Sequence, residues 1–184
     1  MSKSALLLMD LQNMIVSRYA DEQLIARLQE VTAAARKAGM PIIYVVVRFR
    51  PGYPEISPSN RMFGALKSGA MPLTEGDPAV EIHSAFAPQP GDIVVTKRRV
   101  GAFSGSDLDV VLRGQEIGHL VLTGIATSGV VLSTLRLAAD MDYGLTVISD
   151  CCIDKDEEVH RVLIEKVFPS QADVVTAKQW VEKL

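Results

Sequence analysis

Short apolar runs alternate along the chain with segments whose apolar positions recur every three or four residues. The runs are Ala5 to Met9, Pro41 to Val47, Asp92 to Thr96, His119 to Thr123 and Gly144 to Ser149, with a short sixth at Asp173 to Val175. A strand with one wet face alternates apolar and polar residues, whereas most of these runs are apolar throughout, which predicts strands buried on both faces. Such strands belong to a parallel sheet with helices on either side. The pattern therefore predicts an α/β fold: a single domain with a mostly parallel six-stranded sheet and helices on both faces.

The helical segments are legible in the same way. Leu24, Leu28, Val31, Ala35 and Ala38 share one helix face, and Gly39 followed by Pro41 stops that helix. Ser106 with Asp109, Asp154 with Glu157 and Thr176 with Gln179 each resemble a helix cap followed by its reciprocal partner. Val131, Leu135 and Ala138 form the buried stripe of a later helix, with Arg136 and Asp140 on its outer side. Residues 48–90 differ, carrying Pro51, Pro54, Pro58, Pro72, Pro78, Pro88 and Pro90 with several Gly. This stretch reads as one long surface excursion with short helical pieces, suited to covering the strand ends or building a subunit interface. No composition break or internal repeat divides the chain, so residues 1–184 read as one domain.

Composition adds mainly exclusions. With 48% hydrophobic and 22% charged residues, the chain is globular rather than disordered. A net charge of -3 gives no general attraction to phosphate polymers, so no nucleic-acid partner is expected. The basic cluster Lys97-Arg98-Arg99 reads either as a local anion site or as solvated surface. No apolar stretch reaches the roughly 18 to 20 residues needed to span a bilayer, and the run after Met1-Ser-Lys-Ser ends at Asp10, so no membrane partner is expected. The only cysteines, Cys151 and Cys152, are adjacent, which fits neither a disulfide framework nor spaced metal ligands and makes a reducing cytoplasm the default location. His83, His119 and His160 lack zinc-site spacing, and no glycine-rich phosphate loop follows the first strand, so no metal and no cofactor are expected.

Two charged side chains stand where such a sheet presents chemistry. Asp10 closes the first apolar run and Lys97 the third. Ligands of open parallel sheets bind outside the carboxyl ends of the strands, so Asp10 reads as a site carboxylate or as a strand-end cap. Lys97 reads as a solvated edge residue or as a carboxylate's partner. If adjacent, the ammonium would favour ionised Asp10 and lower its pKa, which suits a base; an acid would require substrate-driven desolvation. A further run leads into the turn Ile125-Ala126-Thr127-Ser128-Gly129-Val130. Backbone N–H groups around Ser128 to Val130 either polarise a substrate carbonyl or carboxylate or simply begin a helix, and Gly129 permits close approach.

Three separated segments resemble the isochorismatase-like hydrolases, a family that includes nicotinamidases, carbamoylsarcosine-type amidases and isochorismatase itself. Ala5-Leu-Leu-Leu-Met-Asp10-Leu-Gln-Asn13 is similar to the family's first strand with its catalytic Asp. Ile93 to Leu108 is similar to the strand ending in its catalytic Lys, with Phe103 and a helix start downstream. Leu122 to Thr127, with the helix through Arg136, is similar to the loop and helix that carry a nucleophilic Cys. The resemblance spans nearly the whole chain and implies a Rossmann-like, isochorismatase-like fold acting on a small-molecule substrate. It implies catalytic Asp10 and Lys97, substrate contacts from Gln12, Phe103, Ala126, Thr127, Ser128 and Gly129, a family counterpart for Asn13, and a homodimer or larger homo-oligomer.

The departure falls on the nucleophile, because counting from Gly124 places Val130 where the family carries Cys. A Val cannot attack a carbonyl. Isochorismatase itself, as the resemblance implies, has Gly there and hydrolyses a vinyl ether with its Asp as proton donor. Three readings follow: a hydrolase using Asp10 and Lys97 without a thiol, a non-catalytic small-molecule binder, and an amidase using Cys151 or Cys152.

Overall fold

The computed structural model describes residues 3–65 and 73–184; Met1, Ser2 and the excursion's Pro72 lie outside them. The strands are β1 (Lys3–Met9), β2 (Ile42–Val47), β3 (Ile93–Lys97), β4 (Ile117–Ile125), β5 (Gly144–Ile153) and β6 (Asp173–Val175). They form one sheet in the order β3-β2-β1-β4-β5-β6, and every pairing is parallel. β1 lies between two neighbours and under helices on both faces, which is why it is apolar throughout.

Its residues alternate sides as the pleat requires. Ala5, Leu7 and Met9 join one core with Leu108 and Leu112 of α3 (Leu108–Gly114) and Leu135 and Ala138 of α4 (Leu132–Asp140). Leu6 and Leu8 join the other, with Leu24, Leu28, Val31 and Ala35 of α2 (Glu22–Lys37) and Trp180 of α6 (Ala177–Val181). Burying each such leucine stabilises the fold by about 1.5–3 kcal/mol relative to exposure. The short α1 (Asn13–Tyr19) leaves β1 almost at once, and α5 (Glu157–Val162) follows β5. Among the described residues no helix is long and apolar enough to cross a membrane.

Helix ends match the sequence pattern in part. Thr176 and Gln179 form the reciprocal capping box, and Gly39 ends α2 at φ 68°. Asp154, however, does not cap α5: Asp156 does, accepting from the N–H groups of Glu158 and Val159. Asp154 instead accepts the Ser128 N–H at 2.7 Å, a donor distant in sequence and therefore invisible to local patterning. At α3 the Ser106 hydroxyl accepts from the Leu108 N–H, while Asp109 pairs with Arg113 rather than completing a box.

The excursion has a small core of its own. Phe49, Ile56, Phe63, Leu73 and Val80 cluster with Val47 at the carboxyl end of β2. The excursion thus folds over the strand ends, one of its two expected roles.

β1 and β4 meet most tightly just before Asp10. Gly124 has φ 139°, and a Cβ there would lie 2.3 Å from the Met9 carbonyl oxygen. Gly124→Ala is expected to destabilise the protein by about 3 kcal/mol or more, from strain plus clash. Urea unfolding measures this, and a loss below about 1 kcal/mol would show that the strands can part cheaply.

Candidate active site

Asp10 emerges from β1 at φ 60°, a left-handed conformation that Asp tolerates better than most residues, with its N–H donating to Val45 O at 2.8 Å. Lys97 ends β3, two strands away, and its stem spans the intervening tip of β2. The ammonium reaches Asp10 Oδ2 at 2.9 Å, and both side chains are almost wholly buried. Lys97 Nζ also donates to the carbonyls of Val100 (2.8 Å) and Arg99 (3.2 Å). Its three protons are therefore all engaged, and it acts as a fixed cation rather than a free hand for a ligand.

The carboxylate is less complete. Asp10 Oδ1 is buried and has no hydrogen-bond partner. Asp10 lines a cavity of about 240 Å³ whose wall includes Lys97, Val47, Ala126, Gly129 and Val130, roofed by Met62, Phe63 and Leu73 of the excursion. Burial raises the Asp10 pKa above the ordinary carboxylate value of 3.8, outweighing the Lys97 ammonium, which acts in the opposite direction. The sequence reading expected Lys97 to dominate and lower it. Desolvation wins because the pair sits under apolar side chains.

The turn after β4 closes the opposite wall. Thr127–Val131 forms a wide helical turn leading into α4, and Val130 lies in the wall at 2% exposure. The turn is pinned from behind: the buried Thr127 hydroxyl bonds His160 Nδ1 at 2.8 Å, and Ser128 N–H donates to Asp154. Gly129 N–H donates to Ala126 O at 3.1 Å. Two of the three amides expected to meet substrate are thus used within the fold. Thr127 and Ser128 stand behind the cavity, whereas Ala126 and Gly129 line it.

Gln12 and Phe103 stand off the cavity as well. Gln12 Nε2 donates to Val47 O (3.0 Å) and Val80 O (2.6 Å), and its Oε1 accepts from Val47 N (2.8 Å). A buried amide with both donors and its carbonyl oxygen engaged ties β2 and the excursion together and has no N–H left for a substrate. Phe103 packs on the core with its ring 6.1 Å from that of Tyr143. Asn13 Nδ2 donates to Pro78 O at 2.8 Å and anchors the excursion too.

The two thiols are buried away from the cavity. β5 continues past its expected end at Ser149 through a register shift against β4, which places both cysteines inside the sheet. Cys151 and Cys152 point into opposite cores, and neither lines the cavity. Burial pushes Cys152 up to about 12 and raises Cys151 as well, so the nucleophilic thiolate is disfavoured in both. Among the described residues no three His, Cys, Asp or Glu side chains come together as a metal site.

The sequence family described as the isochorismatase domain matches residues 4–179. The chain belongs to that family. It is 33% identical over 182 residues to the isochorismatase family protein YwoC of Bacillus subtilis, covering 99% of this chain and 94% of that one. It is 37% identical over 171 residues to the ureidoacrylate amidohydrolase of Variovorax paradoxus, covering 81% and 68% respectively. An isochorismatase family structure from Burkholderia thailandensis superposes with a TM-score of 0.84 at 31% identity over 99% of this chain and 96% of the other. Family membership accounts for the scaffold; the chemistry must be argued from this chain's own side chains.

Two outcomes follow from the geometry. Lys97→Met should cost about 3–5 kcal/mol by stranding the buried carboxylate, whereas Lys97→Met combined with Asp10→Leu should recover most of that loss. Denaturant unfolding of the variants decides, and additive losses would contradict a coupled pair. Both cysteines should resist a thiol reagent in the native protein and react on unfolding; rapid native labelling would contradict their burial.

Proposed function

We propose that this isochorismatase family member is a small-molecule hydrolase in which Asp10 moves the proton and no side chain forms a covalent intermediate. The observation that carries this reading is the buried, unpartnered Asp10 Oδ1 at the cavity wall, with its other oxygen clamped by Lys97. A carboxyl whose pKa is raised by burial suits a proton donor, the role that its closeness to a lysine alone would oppose.

The reaction that fits is hydrolysis of an enol ether. Asp10 protonates the terminal carbon of the double bond, leaving an oxocarbenium ion beside the carboxylate just formed. Water adds to that ion and returns its proton to Asp10, and the hemiketal collapses to a carbonyl compound and an alcohol. Lys97 holds the carboxylate in place and offsets its charge while the proton is away, without touching the substrate. Val130 fits this chemistry because no attacking atom is required from the turn. Amide hydrolysis, the activity named for the Variovorax relative, is less well served by a wall with no Cys, Ser or Thr among its described residues.

A second reading, a binder without turnover, is favoured by one observation: the branched, apolar Val130 stands in the cavity wall at 2% exposure. Turnover separates the two. Against small enol ethers carrying at most one carboxylate, Asp10→Asn should lower kcat/KM by about 100-fold or more; equal rates in the two proteins would remove Asp10 from the mechanism.

The pH profile gives the sign. A general acid works while protonated, so kcat/KM should fall as pH rises through the raised Asp10 pKa. Lys97→Met removes the influence that lowers this pKa, so the descending limb should move to higher pH. Activity rising through that range would make Asp10 a base instead.

A further inference from the structure

Helix α1 turns one face toward the cavity. Met14, Ile15, Arg18 and Tyr19 all line it, and the pairs 14/18 and 15/19 have the four-residue spacing that places side chains together. Among the described residues three charged side chains line the cavity, and two of them, Asp10 and Lys97, are paired with each other at 2.9 Å. Arg18 is the third. It has no carboxylate within salt-bridge distance among the described residues, and its guanidinium lies over the Tyr19 ring, 5.5 Å from the centroid. Arg48, Arg50 and Arg98, by contrast, are paired with Glu81, Glu55 and Glu75. Among the described residues Arg18 is therefore the cavity-lining cation without a carboxylate partner, a planar fork steadied by an aromatic face.

The opposite end carries the reverse demand. Asp10 Oδ1, buried and without a partner, suits an uncharged polar group, and with all three Lys97 protons engaged no cation at this end is free to meet a second anion. Between these ends the lining is apolar, with Ile15, Val47, Phe63, Leu73 and Val130 prominent. The volume, about 240 Å³, lies below the usual range for drug-sized ligands and suits one small ring or a short branched chain.

We propose that Arg18 is the specificity-determining residue of this site. It receives the carboxylate of a small organic monoanion whose apolar body fills the cavity and whose uncharged far end meets Asp10. The identity of that far end as the reacting group rests on the hydrolase reading; the binding preference does not. Arg18 and a carboxylate form two parallel charge-assisted hydrogen bonds, a geometry that a neutral amide cannot match. A dicarboxylate is disfavoured because its second charge falls beside Asp10.

Calorimetric titration with benzoate, its neutral analogue benzamide and the dianion isophthalate tests this without needing the physiological substrate. The expected result for the unaltered protein is benzoate binding about tenfold more tightly than benzamide, with isophthalate weaker than benzoate. Arg18→Met should abolish the preference while leaving benzamide affinity within about twofold, which shows the cavity intact. Asp10→Asn should keep the benzoate preference even though hydrolysis is lost, so failure of the hydrolase reading and failure of this one look different. Benzoate binding no tighter than benzamide, a preference that survives Arg18→Met, isophthalate matching benzoate, or no binding of any probe at millimolar concentration would each overturn the assignment.

Discussion

The buried contact between Asp10 and Lys97 is the constraint around which the strand ends are arranged. Removing an ammonium and a carboxylate from water costs several kcal/mol for each ion, and their attraction offsets this only with good geometry and further hydrogen bonds. Lys97 meets those terms: one carboxylate oxygen and two backbone carbonyls take its three protons, which requires the chain after β3 to double back at Arg99 and Val100. Asp10 meets them only halfway. Its second oxygen is buried without a partner, a cost that folding alone does not explain and that a bound substrate would remove.

The rest of the site secures this arrangement from two sides. The turn after β4 is tied to the chain after β5 through Thr127 with His160 and Ser128 with Asp154, so its shape does not depend on the residue at position 130. The excursion is tied down by Gln12 and Asn13, which link the start of α1 to Val47, Pro78 and Val80. A frame held by contacts of this kind keeps its pocket without help from the side chain at position 130. Val130 is therefore compatible with a cavity that presents a carboxyl group on one wall and a cation on α1.

The sheet was legible because its strands are short, apolar and separated by periodic helices; only β4 and β5 run well past their expected ends. Asp10 and Lys97 were legible as strand-end charges, although the direction of the Asp10 pKa was not, since burial cannot be read from two residues apart in sequence. The family resemblance suggested substrate contact for Gln12, but its partners lie 35 and 68 residues away. His160, 33 residues from Thr127, carried no local signal either. Arg18 belongs to no motif, and only the orientation of α1 reveals its role. Asp154 looked like a helix cap and proved to be a tertiary anchor, a choice made by whichever amide folding brings nearest.

The central claim is that Asp10 is held as a protonatable acid by burial despite its lysine partner. Carbon-13 NMR titration of the Asp10 carboxyl tests it most directly. Titration above the ordinary value of 3.8 is the expected result, and Asp10→Asn identifies the resonance. A carboxyl that titrates below that value would mean that Lys97 governs the pair and would contradict the acid mechanism.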